Sequence, residues 1–123
     1  FFLMVESAYA DSGGHGNNAD KTVRGTVQAD WAVKEALEYA AQHGDTLVIS
    51  TADHETGSLS AIMSTAAAEE PVLYYSGSSH SSALVPTYAC GPGAELFGGE
   101  INNVEIGRGI GKLWKFEVPM LVK

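Results

Sequence analysis

The sequence predicts an α/β fold built on a mainly parallel sheet covered by helices. Three observations predict it. Phe1 to Val5 (FFLMV) is a continuous apolar run of strand length, as expected for a strand buried on both faces. From Thr26 through Gln42, Val27, Trp31, Val33, Ala36, Leu37, Ala40 and Ala41 recur at helical spacing, while Lys34, Glu35 and Glu38 fall on other faces. Thr46 to Thr51 (TLVIST) is a second β-rich apolar run. Strand, helix and strand in that order make a βαβ unit.

The remaining elements follow from local signals. Asp30 is placed to cap the helix or to sit in its first turn, and Gly44 stops it. Ser64 to Glu70 (STAAAEE) is weakly patterned and reads as an exposed connector. The stretch VLYYSGSSHSSALVPTYAC has β-rich ends around a Gly/Ser-rich loop that carries His80, followed by a strand from Leu84 to Ala89. GPGAELFGG is turn material. Asn102 with Glu105 three residues on forms a capping-box pattern that opens a last helix through Ile106, Ile110, Leu113 and Trp114. With no internal repeat, residues 1–123 read as one partial domain.

Bulk properties restrict the function. Fifteen acidic residues against seven basic give a formal charge of -8, which argues against nucleic acid or an anionic membrane surface as a partner. No apolar run approaches the roughly 20 residues that span a bilayer. The single cysteine, Cys90, excludes an internal disulfide and a multi-cysteine zinc site, and reads as a small buried hydrophobe. Tyr74 and Tyr75 read as core or dimer-surface residues. The opening FFLMV lacks an initiator Met and the layout of a signal peptide, so the chain is expected to be a piece of a longer protein.

In α/β sheets ligands gather beyond the carboxyl ends of the strands. Glu6 and the stretch DSGGH follow the first run, and ADHETG follows the second, so both polar clusters are expected at one sheet edge. The DSGG motif invites a serine nucleophile at Ser12, but four residues specify neither a base nor an oxyanion pocket. Asp11 and His15, four apart with glycines between, suit a tight turn that aims a carboxylate and an imidazole at one point, a donor pair that fits Zn²⁺. Asp53 and His54 form a second acid–imidazole pair, His80 adds a third imidazole, and Glu6 offers a hard oxygen suited to Mg²⁺. His43 lies at a helix end, where a cation is favoured in any case. Taken singly, each is more often a solvated loop residue than a ligand. Their convergence at one edge is what points to a metal centre.

Placed together, LMVES-AYADSGGHGNN resembles the alkaline phosphatase pattern in which a VEG-type strand end precedes the zinc aspartate and histidine. TLVISTADHETGSL is similar to that family's TADHETG signature, and HSSALVPTYACGPGAELFGGEINNVEIG to its third metal-histidine loop. The resemblance runs from Phe1 to about Leu113. It implies an alkaline phosphatase-like three-layer α/β/α sandwich with a mainly parallel sheet. It also implies that Asp11, His15 and His80 hold one zinc, Asp53 and His54 a second, and Glu6 a magnesium. Ser12 then lies between two ligands of one metal and is not the attacking serine, which the family carries in an Asp-Ser-Ala-type motif upstream. The aspartate shared with the second zinc, the remaining magnesium ligands and the phosphate-gripping arginine are also absent, since Arg24 and Arg108 match neither its context nor its order. Ser7 stands where a glycine is usual, and Tyr9-Ala10 where a bulky aliphatic residue precedes the aspartate.

The function so implied is hydrolysis of small phosphate monoesters at alkaline pH, through a phosphoserine formed in a part of the protein outside this chain, which alone is expected to be inactive. The resemblance further implies a homodimer and a periplasmic or secreted location. The alternatives are a noncatalytic metal-binding module, or a superfamily relative such as a phosphomutase or a sulfatase-like enzyme.

Overall fold

A computed structural model describes residues 1–62 and 71–116, so the expected connector and the tail from residue 117 lie outside the described residues. The elements are, in order, α1 (Ala8–His15), α2 (Ala19–His43), β1 (Val48–Thr51), β2 (Glu55–Thr56), β3 (Leu59–Ile62), β4 (Val72–Tyr75), β5 (His80–Ser81), β6 (Thr87–Cys90), a 3₁₀ helix (Ala94–Phe97) and α3 (Asn103–Trp114). They form two compact units. Among the described residues, the first joins Phe1–Glu35 to those between His54 and Val85, and the second joins Ala36–Asp53 to those from Pro86 to Phe116. No described helix is long and apolar enough to cross a membrane.

Strand direction departs from expectation. The described strands make three two-stranded antiparallel ladders, β1 with β6, β2 with β5 and β3 with β4, and no parallel pair. An apolar run records burial, whereas direction is set by the partner, which the run does not name. Residues 1–5 form no strand and are 62–89% exposed. β1 is half-buried, not enclosed on both faces. The predicted strand at Leu84 to Ala89 starts instead at Thr87, just after Pro86, which has no N–H to give to a ladder.

In the first unit α2 begins at Ala19, earlier than its apolar period suggests. Asn18 caps it by accepting from the Lys21 amide at 2.9 Å, and Asp20 lies in the first turn, where the helix dipole favours an acid. Asp30 therefore falls inside the helix. DSGGH is helical too: it forms the end of α1 instead of a tight turn. Two glycines there would ordinarily disfavour a helix, but tertiary packing overrides the local preference. At the crossing of α1 and α2, a Cβ on Gly25 would stand 2.3 Å from the Ala10 amide nitrogen, so the backbones meet where no side chain fits. Ser7 fastens the same crossing by donating its hydroxyl to the Gly25 carbonyl at 2.8 Å. Thr22 on α2 is buried and accepts a 2.8 Å hydrogen bond from the Tyr75 hydroxyl of β4.

In the second unit β1 and β6 pair in register from Val48 opposite Cys90 to Thr51 opposite Thr87. Phe97, 2% exposed, lies against Gly109 of α3. Asn102 caps α3 as expected, accepting from the Val104 amide at 3.2 Å, while Glu105 pairs with Arg108 one turn on. Cys90 is exposed, contrary to the buried role expected of it, because it falls on the outward side of a half-buried edge strand.

Candidate metal centre

The first unit brings Asp11, His15, His54 and His80 together. Asp11 and His15 share one face of α1 because residues four apart on a helix are stacked. His54 directly precedes β2, and His80 opens β5. The ladder sets Thr56 opposite His80 and Glu55 opposite Ser81, so strand pairing brings the two histidine-bearing segments into register. Glu55 reinforces it by accepting from the Ser81 hydroxyl and from the Leu59 amide at 3.0 Å. The Ser81 bond is the main reason its carboxyl titrates below the usual range. Gly14 lets α1 approach this ladder, since a Cβ there would lie 2.6 Å from the Thr56 carbonyl oxygen.

Three donor atoms form a triangle. His15 Nε2 is 3.1 Å from His80 Nε2 and 3.4 Å from Asp11 Oδ1, and His80 Nε2 is 3.5 Å from the same oxygen. Tetrahedral ligands bonded to zinc at about 2.0–2.2 Å stand roughly 3.3–3.6 Å apart, so the residues present fit one face of such a site. His15 is oriented for it, because Nδ1 contacts the Ser78 carbonyl at 2.7 Å. A carbonyl only accepts, so Nδ1 carries the hydrogen and Nε2 the lone pair of the neutral ring. The His54 ring stacks on that of His80, with centroids 3.4 Å apart, and ligand atoms of Asp11, His54 and His80 all lie within 4.8 Å of one another.

Asp11 is half-buried and held below its ordinary pKa, chiefly by the 2.8 Å hydrogen bond it accepts from Thr56. Burial opposes that shift, and positive charge on His15, His80 and His54 adds to it. An ionised oxygen beside two imidazoles is a donor set suited to Zn²⁺.

Glu6 is exposed and is not a member of this cluster. Asp53 is exposed, precedes His54 in sequence and belongs to the second unit. Ser12 spends its hydroxyl on the Ala8 carbonyl one turn back, at 3.0 Å, which answers the nucleophile reading of DSGG. Arg24 pairs with Asp20 and Arg108 with Glu105, each on its own helix. Sequence reasoning passed over Thr56 and Ser78. Thr56 was legible within TADHETG, two residues past His54 in an extended segment, but the Ser78 carbonyl leaves no mark on side-chain pattern.

The family model of alkaline phosphatase matches residues 1–73. The alkaline phosphatase of Escherichia coli K12 is 50% identical over 54 residues, which cover 44% of this chain and 12% of that protein. Among solved structures, the alkaline phosphatase of the Antarctic bacterium TAB5 superimposes with a TM-score of 0.85 at 39% identity, over 96% of this chain and 36% of that one. A variant of the TAB5 enzyme with Mg bound gives 0.86 at 37% identity, over 96% and 37%. The chain thus spans little more than a third of the solved structures it matches. Its fold is alkaline phosphatase-like, and with more than half of its length under the family model, the chain belongs to the alkaline phosphatase family.

Proposed function

We propose that this chain supplies metal ligands to a phosphomonoesterase that acts at alkaline pH through two zinc ions, one magnesium ion and a phosphoserine whose serine lies outside the chain. The observation that carries the reading is the triangle of His15 Nε2, His80 Nε2 and Asp11 Oδ1, with edges of 3.1, 3.4 and 3.5 Å. Asp53 and His54 are assigned to the second zinc and Glu6 to the magnesium, by resemblance. Bound metal supplies positive charge for the phosphoryl oxygens and Lewis acidity for the departing one.

The chain's own residues prepare the site. Ser78 holds the His15 tautomer, Thr56 holds Asp11, and the β2–β5 ladder fixes His80 opposite Thr56. Substrates are small phosphate monoesters, and the parent is a periplasmic or secreted homodimer. In that parent, residues 1–123 form part of one three-layer α/β/α domain with a mainly parallel sheet. The exposed apolar residues Phe1 to Val5 support this placement, as apolar surface that the rest of such a domain would cover.

The test is hydrolysis of p-nitrophenyl phosphate with Zn²⁺ and Mg²⁺. The parent protein should turn it over and its His80→Ala variant should not, while this chain alone should not exceed its own His80→Ala control. Robust turnover by the chain alone, or an unaffected parent variant, contradicts the assignment.

A further inference from the structure

Thr56 holds one hydroxyl proton between two groups that compete for it. Its Oγ1 lies 2.8 Å from Asp11 Oδ1 and 3.1 Å from His54 Nδ1. An ionised carboxylate only accepts hydrogen bonds, so the hydroxyl proton goes to Asp11. The contact with His54 is then a hydrogen bond only if Nδ1 carries a hydrogen and donates to Oγ1. In a neutral ring that makes Nε2 the lone-pair nitrogen. His15 reaches the same tautomer by its separate bond to the Ser78 carbonyl.

The Thr56 side chain is itself held in place. Its backbone is fixed opposite His80 in the β2–β5 ladder. Its methyl group packs against α1, since a Cβ on Gly14 would stand 2.9 Å from Cγ2. A β-branched side chain has few χ1 choices, and with the methyl pinned against Gly14 the hydroxyl is left facing Asp11 and His54.

We propose that Thr56 is a positioning residue that selects the Nδ1–H tautomer of His54 and, through the same oxygen, orients Asp11. The use made of the His54 Nε2 lone pair rests on the metal-centre reading, whereas the tautomer does not. One hydroxyl thereby links a residue assigned to one zinc with a residue assigned to the other. Loss of an outer hydrogen-bond partner of this kind lowers metal affinity by about 10–100-fold.

The test uses the chain with ¹⁵N-labelled histidine, whose four rings are few enough to resolve. Two-bond ¹H–¹⁵N correlations are recorded without metal at about pH 8, above the ordinary histidine pKa of about 6.5. His54 is expected to carry its hydrogen on Nδ1. In Thr56→Val, which keeps the methyl packing and loses the hydroxyl, His54 should revert towards the Nε2–H form that free imidazole side chains favour, with His15 unchanged. Thr56→Ser should restore the wild-type signature. Zinc affinity should fall about tenfold or more in the Val variant and recover in the Ser variant. A wild-type His54 in the Nε2–H form overturns the proposal without any variant, as does a Val variant that keeps the wild-type tautomer. A chain that shows the tautomer and its loss in Thr56→Val, yet takes up no zinc, supports the role of Thr56 and counts against the metal centre.

Discussion

The Nε2 atoms of His15 and His80 face each other at 3.1 Å across 65 residues of sequence, and the Nδ1 atom of His15 is already committed to the Ser78 carbonyl. With Nε2 of His15 a lone-pair site, a cation placed between the rings satisfies both at once. His80→Ala should therefore weaken zinc binding by more than the about 10–100-fold that loss of an outer hydrogen-bond partner costs. Isothermal titration with Zn²⁺ measures it, and an unchanged affinity would remove His80 from the ligand set.

Gly14 is where α1 touches β2. The Cβ of Gly14→Ala would lie 2.6 Å from the Thr56 carbonyl and 2.9 Å from its side chain, too close without movement of the helix or the ladder. Overpacking of this kind costs about 1–3 kcal/mol. Urea unfolding should show the loss of stability, and zinc affinity should fall with it because Asp11 and Thr56 move apart.

Much of the Asp11, His15, His54 and His80 cluster was legible in the sequence, and the reasons for the gaps are specific. His54 and His80 stand out because imidazoles beside β-rich runs have few structural duties. The helical state of Asp11 to His15 was hidden, since Gly13 and Gly14 signal a turn locally and only their packing against Thr22 and Thr56 makes a helix worthwhile. The start of α2 was missed because Thr22 and Gly25, its buried residues, are not part of any apolar period. The antiparallel pairing of β1 with β6 joins segments about 40 residues apart, and no periodicity within TLVIST names that partner.

Tyr75 donates to Thr22, which is 7% exposed, so the phenol serves the α2 packing and not the donor triangle. Tyr75→Phe leaves a buried hydroxyl short of a partner and should destabilise the chain by about 1–3 kcal/mol. Zinc affinity should stay at the wild-type value under conditions where the variant is folded. A parallel drop in affinity would show that the α2 face and the metal centre are coupled.

The depressed pKa of Asp11 makes a signed prediction. Its folded-state value lies below the ordinary aspartate range, chiefly through the Thr56 hydrogen bond. Its contribution to stability is thus fully present above the unfolded carboxyl pKa of about 3.9, and is lost as the pH falls through the lower folded value. Carboxyl NMR titration of the metal-free chain should find Asp11 among the more acidic aspartates, and Thr56→Val should move it upward. No movement would assign the shift to the surrounding imidazoles instead.

The central claim is that Asp11, His15 and His80 converge on one metal ion, and X-ray absorption at the zinc edge of the chain loaded with one equivalent tests it most directly. The expected spectrum has nitrogen and oxygen neighbours at about 2.0–2.2 Å, a low coordination number and the outer-shell scattering of two imidazole rings. A six-oxygen shell without imidazole scattering would mean that zinc binds elsewhere on an acidic surface, and would contradict the site built by α1, β2 and β5.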